Sequence, residues 1–210
     1  MNYFDKIGLF HYHIPKTAGT SIKTFLEQNY GKAIVFCFEK THEPLGQQKT
    51  IVDEKFFNSR IILVSVRNPH DLLVSWYFYV TTVIEPLLKN NEWRERRSPH
   101  MISIWDCKTF SDFINWIVDA NCEMCHSLFE WLNADGKLPG NLRIVKYENL
   151  IADLYFIFNM EMGLNLDLST FPKLLISEHK PYLEYYDKKL YDKVVKRYEW
   201  AFEALYEKEM

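Results

Sequence analysis

The chain has 210 residues, of which 48% are hydrophobic and 16% aromatic, enough apolar material for a substantial core. Lys and Arg number 25 against 28 Asp and Glu, a net charge of −3 that is too balanced for nucleic acid to be the main partner. No run approaches the ~18 uninterrupted apolar residues of a membrane span, and no signal-peptide pattern opens the sequence, so the reading is a single cytoplasmic domain over residues 1–210.

In chain order, Ile7 to Ile14 is short, apolar and aromatic and predicts a buried strand. Ile22, Phe25 and Leu26 then recur at helical spacing. Between them lies His13-Ile14-Pro15-Lys16-Thr17-Ala18-Gly19-Thr20-Ser21, which holds a cation, a permissive glycine and three hydroxyls. A helix N-terminus offers N–H groups and a positive dipole end, so such a loop can hold a phosphate or sulfate. It does not fit the nucleoside triphosphate loop G-x-x-x-x-G-K-[ST], because it has one glycine and its lysine precedes that glycine. An ordinary Ser- or Thr-capped helix is the competing reading of the same residues.

Ala33 to Phe38 predicts a second strand, followed by Lys40-Thr41-His42-Glu43-Pro44. Pro44 keeps the preceding chain out of helix, so His42 is expected in an extended or turning segment just past the strand's end. Ligands of open α/β sheets bind at that edge. Asp53 to Asn58 reads as a short helix and Arg60 to Val66 as a third strand, nearly continuous and β-branched. Arg67-Asn68-Pro69 then opens a helix in which Ser75 falls about two turns in. An arginine and a hydroxyl so placed can grip a phosphate, the arginine with two prongs; a salt-bridged arginine and a packing serine are the bland alternative.

Thr81 to Lys108 carries Arg94, Arg96 and Arg97 beside Trp93 and Trp105, readable as an acidic-substrate contact or as a solvated helix end. Thr109 and Asp112 can cap a helix through Val118 that buries Phe113, Trp116 and Ile117. The four cysteines, Cys37, Cys107, Cys122 and Cys125, form no regular framework. Cys122-Glu-Met-Cys125-His126 matches C-x-x-C-H, but it lies within a predicted helix over Asn121 to Trp131 and no second ligand pair accompanies it, so packing cysteines are expected and no metal. Leu142 to Val145 predicts a further strand, and Asp187 caps a last helix striped by Leu190, Val194, Tyr198, Ala201 and Leu205. The alternation predicts an α/β fold, a P-loop-like central and mainly parallel sheet flanked by helices.

Taken together, Pro15-Lys16-Thr17-Ala18-Gly19-Thr20-Ser21, Lys40-Thr41-His42, Arg67-Asn68-Pro69 with Ser75 and Tyr77, and Lys146-Tyr147-Glu148-Asn149-Leu150 resemble the sulfotransferase superfamily in order and spacing. The resemblance implies a fold that binds 3′-phosphoadenosine 5′-phosphosulfate and moves its sulfuryl group to an acceptor hydroxyl or amine on a small molecule or carbohydrate. By position it implies that Lys16, Thr17, Ala18, Gly19, Thr20 and Ser21 hold the 5′-phosphosulfate, with Lys16 also steadying the leaving oxygen. Arg67 and Ser75 would bind the 3′-phosphate, Tyr147 would lie near the nucleotide, His42 would deprotonate the acceptor and Lys40 would support it. Histidine titrates near neutral pH, as that base must.

The loop resembles carbohydrate-type members and Lys40-Thr41-His42 the cytosolic ones. Ser177-Glu178-His179-Lys180-Pro181-Tyr182 stands where cytosolic members carry Arg-Lys-Gly, making Lys180 a candidate cation. A P-loop-like kinase or hydrolase, and a binding protein without catalysis, are the alternatives; the first needs a lysine after the loop glycine and an acidic magnesium ligand, and neither is evident.

Overall fold

The computed structural model describes residues 1–36, 43–84, 104, 106–119 and 126–208. They gather into two compact units, Met1–Arg67 with Phe129–Leu175, and Asn68–Leu128 with Ile176–Met210.

The first unit is built on a sheet in the order β3-β1-β2-β4-β5. The strands are β1 (Asn2–Phe4), β2 (Leu9–Tyr12), β3 (Ile34–Val35), β4 (Ile61–Val66) and β5 (Leu142–Lys146). β4 pairs in parallel with β2 and β5, whereas β1 is antiparallel to β2 and β3, so four of the five strands run the same way. The predicted mainly parallel α/β sheet is therefore present. β4 reads Ile-Ile-Leu-Val-Ser-Val with five of six residues buried, as a strand covered on both faces requires.

The N-terminal strand differs from expectation. Instead of one strand over Ile7 to Ile14 the chain makes a hairpin, in which the turn Asp5–Ile7 closes at Gly8 with φ 61 and the Gly8 N–H bonds to the Asp5 carbonyl at 3.2 Å. That left-handed position is cheap only for glycine. The expected strand over Ala33 to Phe38 is reduced to two exposed edge residues, with the Phe36 N–H bonded to the Met1 carbonyl at 2.8 Å; residues 37–42 lie outside the described residues.

One sheet face presents Leu9, Leu63 and Val145 to the helix α1 (Gly19–Tyr30) through Ile22, Phe25 and Leu26. The helix α7 (Leu150–Tyr155) and its continuation add Leu154, Ile157 and Phe158 to this core. Truncating Phe25, 1% exposed, to Ala would cost about 3–5 kcal/mol. On the other face, past the short helix α2 (Leu45–Lys49), Phe10 packs edge-on to Phe56 and tilted to Phe57, at 5.5 and 6.2 Å between ring centres, from α3 (Glu54–Asn58), which Asp53 caps through the Phe56 N–H. Tyr12 on the same face has its hydroxyl 2.9 Å from the Glu43 carbonyl and 3.2 Å from the Trp131 carbonyl, which share its one O–H hydrogen. Both faces of the sheet are thus covered, and its C-terminal edge is where β2, β4 and β5 release their loops.

The second unit is helical. In α4 (Pro69–Phe78), Asn68 accepts the His70 N–H at 3.0 Å and Pro69 occupies the first turn, as predicted. α5 (Phe110–Asp119) starts with the predicted reciprocal box: Asp112 accepts the Thr109 N–H at 3.0 Å and Thr109 accepts the Asp112 N–H at 3.1 Å. Phe113 and Ile117 are buried there, and Trp116 is half-buried. Asp187 caps α8 (Lys188–Arg197) through the Leu190 N–H at 2.8 Å.

The predicted last helix is broken at Tyr198 (φ −111) and resumes as α9 (Glu199–Ala204). Leu190, Val194, Tyr198 and Ala201 nonetheless form one buried stripe. Of the predicted helix over Asn121 to Trp131, the described residues contain Leu128–Leu132 (α6); Cys122 and Cys125 lie outside them, as do Arg94, Arg96 and Arg97.

Candidate active site

β2 hands the chain through buried Ile14 into a turn in which Lys16 (φ 64) and Ala18 (φ 69) are both left-handed, on either side of Thr17. Neither residue type favours that region, so the surrounding structure must impose it. Thr17 is one reason. It is fully buried, and its hydroxyl donates to the Ile14 carbonyl at 2.8 Å and lies 2.9 Å from Ser65 Oγ on β4. A threonine has one hydroxyl hydrogen, so Ser65 is the donor in the second bond. The Thr17 side chain thereby pins the loop to the sheet, and what it has left for a ligand is its main-chain N–H.

α1 begins at Gly19, three residues before Ile22, where the apolar spacing starts. A Cβ built on Gly19 would stand 2.4 Å from His13 Nδ1 and 2.8 Å from His13 Cε1, so the imidazole claims the space a side chain needs. The first N–H groups of α1 have no carbonyl within the helix to bond, which leaves a turn of left-handed residues feeding a helix start, an anion-binding concavity in main-chain terms.

Two cations close the concavity. Arg67, the residue after β4, is 6% exposed, donates from Nη1 to the Lys16 carbonyl at 3.3 Å, and lies 4.0 Å over the ring of Tyr147, which follows β5. A guanidinium over a tyrosine face is held by the ring quadrupole. The Lys16 ammonium donates to the Leu175 carbonyl at 3.2 Å. Its pKa is lowered from 10.5 to about 8, first by burial and then by Arg67. A lysine so depressed carries a charge its surroundings do not fully compensate, and an arriving anion would supply the opposite charge that both causes leave wanting. Ser21, 3% exposed, accepts the Leu174 N–H at 3.0 Å, which leaves its own O–H to give.

The second unit holds Ser75, 2% exposed on α4 and 3.0 Å from the Ser177 hydroxyl, which also reaches the Ser75 carbonyl at 3.1 Å. Lys180 is exposed and 3.6 Å from Glu184. His70 is a core group: it stacks on Tyr191 at 3.9 Å, and burial holds its pKa down to about 4 despite a bond to the Tyr191 carbonyl.

A family model described as Sulfotransferase family matches residues 1–206. The chain belongs to the sulfotransferase family. No curated protein and no solved structure matches it. As a sulfotransferase it is an enzyme of sulfate transfer, with the mixed α/β sheet of that family. Among the described residues no helix is long and apolar enough to cross a membrane, and no three His, Cys, Asp or Glu side chains gather as a metal site would need.

Of the residues the sequence singled out, the first unit brings together Lys16, Thr17, Ala18, Gly19, Thr20, Ser21, Arg67 and Tyr147; Ser75 belongs to the second unit, and Lys40 and His42 lie outside the described residues. Sequence reasoning placed His13 at the head of the loop without giving it a role, and it missed three contributors. Ser65 reads as a strand residue, and Leu174 and Leu175 act through their backbone, which no side-chain pattern announces. A left-handed leucine (φ 54) leaves no trace in composition.

Proposed function

We propose that this sulfotransferase takes its sulfuryl group from 3′-phosphoadenosine 5′-phosphosulfate and passes it to a hydroxyl or amine of a small-molecule or carbohydrate acceptor. The observation that most supports this reading is the convergence of two cations, Lys16 and Arg67, on a left-handed turn at the head of α1, with the lysine pKa depressed to about 8. Such a site suits a polyanion, and the residues present fit the donor's charge. When bound, the donor supplies an activated sulfur whose leaving oxygen accumulates negative charge.

Lys16 would keep a hydrogen bond and a positive charge at that oxygen, and the N–H groups from Thr17 to Ser21 would hold the 5′ side. Arg67, fixed over Tyr147, would take the 3′-phosphate, and Ser75 is assigned to the same phosphate by its match to the family pattern alone. His42 would accept the acceptor's proton, with Lys40 as a supporting cation; both assignments rest on their match to the family pattern. The catalysis this implies is positioning and charge stabilisation, with no covalent protein intermediate. We also propose that residues 1–210 work as one functional domain and that the setting is cytoplasmic, in keeping with sparse, irregular cysteines.

Calorimetric titration with 3′-phosphoadenosine 5′-phosphate, adenosine 5′-phosphate and ATP with magnesium tests the reading. The bisphosphate is expected to bind at least about tenfold more tightly than the monophosphate, and Lys16→Ala or Arg67→Ala to lose about tenfold or more. His42→Ala should abolish transfer while leaving bisphosphate binding in place. A folded wild-type protein that ignores the bisphosphate, or prefers ATP, would overturn the donor assignment.

A further inference from the structure

Among the described residues five non-glycine positions have positive φ: Lys16, Ala18, Asp135, Asn165 and Leu175. Asp and Asn tolerate the left-handed region, since their short polar side chains bond locally. The other three do not, and they meet at one place, because the Lys16 ammonium donates to the carbonyl of Leu175. Strain concentrated in this way persists only where neighbouring contacts dictate it, and it marks functional sites.

Leu174 and Leu175 form a strap beside the loop, and its contacts with the loop are main-chain on the strap's side. The Leu174 N–H donates to Ser21 Oγ at 3.0 Å and the Leu175 carbonyl accepts from Lys16 Nζ at 3.2 Å. The side chains of both leucines point away enough to be 40% and 59% exposed, so hydrophobic burial does not explain why the segment lies here. Hydrogen accounting distinguishes a plug from a brace. An ammonium has three N–H donors, and Leu175 takes one; a serine hydroxyl has one donor and two acceptor positions, and Leu174 takes an acceptor position. The contacts therefore occupy one N–H of Lys16 and leave the Ser21 O–H to give, and they orient both side chains.

We propose that the backbone of Leu174 and Leu175 is a positioning element that braces Lys16 and Ser21 to receive an anion, and that the left-handed turn at Leu175 aims the carbonyl that does so. This rests on the donor site proposed above. Leu175 is a positioning residue here, acting through its carbonyl on Lys16.

The test separates conformation from side-chain chemistry. Leu175→Ile keeps the apolar bulk but, being β-branched, resists positive φ; Leu175→Gly and Leu175→Asn discard the bulk and accept it. Each full-length variant is titrated with 3′-phosphoadenosine 5′-phosphate between about pH 7 and 9 (about one unit either side of the Lys16 pKa of about 8). Leu175→Ile should bind about tenfold more weakly than the Gly and Asn variants. As pH rises its affinity should also begin to fall about where Lys16 titrates and earlier than in the Gly and Asn variants, because an ammonium that has lost an acceptor gives up its charge at lower pH. Equal affinities, or Gly and Asn weaker than Ile, would overturn the proposal, the second by showing that apolar contact is what matters.

Should Leu175→Ile not fold, amide hydrogen exchange on the wild type decides. A brace keeps the Leu174 N–H protected with and without the bisphosphate, whereas protection lost on binding identifies a plug and overturns the proposal. Wild-type protein that does not bind the bisphosphate at all removes the donor site and this inference with it; binding with the wrong variant order removes the inference alone.

Discussion

Gly19→Ala probes whether the loop is shaped by steric fit. Gly19 is not in the left-handed region, and alanine is the better helix former by as much as ~1 kcal/mol, so local propensity alone predicts a neutral or stabilising change. Space says otherwise. The new methyl would lie 2.4 Å from His13 Nδ1 and 2.8 Å from both Cγ and Cε1, inside any allowed contact with three atoms of one ring. The ring cannot slide without cost, since it is flanked by fully buried His11 at 6.1 Å between ring centres. Overpacking of this kind costs about 1–3 kcal/mol, which exceeds the propensity gain.

For a chain of this size each kcal/mol moves the midpoint of thermal unfolding by about 2–4 °C, so a drop of several degrees is expected, along with weakened bisphosphate binding. The decisive control is His13→Ala in the same chain. Removing the ring should restore most of the stability lost by Gly19→Ala, giving a large favourable coupling between the two changes. A Gly19→Ala protein as stable and as tightly binding as wild type, or a double variant whose losses simply add, would refute the steric argument.

Replacing Tyr147 by Leu removes the face beneath the Arg67 guanidinium at 4.0 Å and should weaken bisphosphate binding by about three- to fivefold, with Tyr147→Phe nearly unaffected, read by calorimetry. The pH dependence of stability should show His70. Its folded pKa of about 4 lies below the usual 6.5, so the unfolded chain takes up the proton first as pH falls. Its contribution is complete above about pH 6.5 and is lost toward pH 4, amounting to about 3 kcal/mol, and His70→Phe should flatten that part of the denaturation profile. Asp187→Ala, which removes the acceptor for the Leu190 N–H, should cost about 1 kcal/mol in thermal unfolding without touching bisphosphate affinity.

The elements readable from sequence were those whose signal is local. β4 announced itself by an unbroken β-branched run, α5 by Thr109 and Asp112 at capping distance, and α4 by Asn68-Pro69. The hairpin at Gly8 was missed because a three-residue strand has no periodicity to detect, and its identity comes from pairing with β2. The break at Tyr198 was missed for the opposite reason: the apolar stripe continues across it, so the pattern of burial hides the change of backbone. At the candidate site, sequence pointed to the residue types Lys16, Ser21, Arg67 and Tyr147. It could not show that Tyr147 supports Arg67, nor that Thr17 has spent its hydroxyl on Ile14 and Ser65. Those facts depend on where distant strands end.

The same point bears on how a chain of net charge −3 can hold a polyanion at all. A field summed over the whole chain gives no long-range pull, and at about 0.1 M salt exposed charges act over only ~10 Å. Affinity must then come from groups fixed before the ligand arrives. Arg67 is buried and Lys16 half-buried, so their charges are less screened than exposed ones, and the lysine's lowered pKa, set first by burial and then by Arg67, shows a charge that an anion would compensate. The left-handed residues, the Thr17 pin and the His13 ring are what hold that unfavourable arrangement in place. Stability spent on this loop in the free protein is returned when charge is supplied, which is why the same few residues carry both the strain and the proposed chemistry.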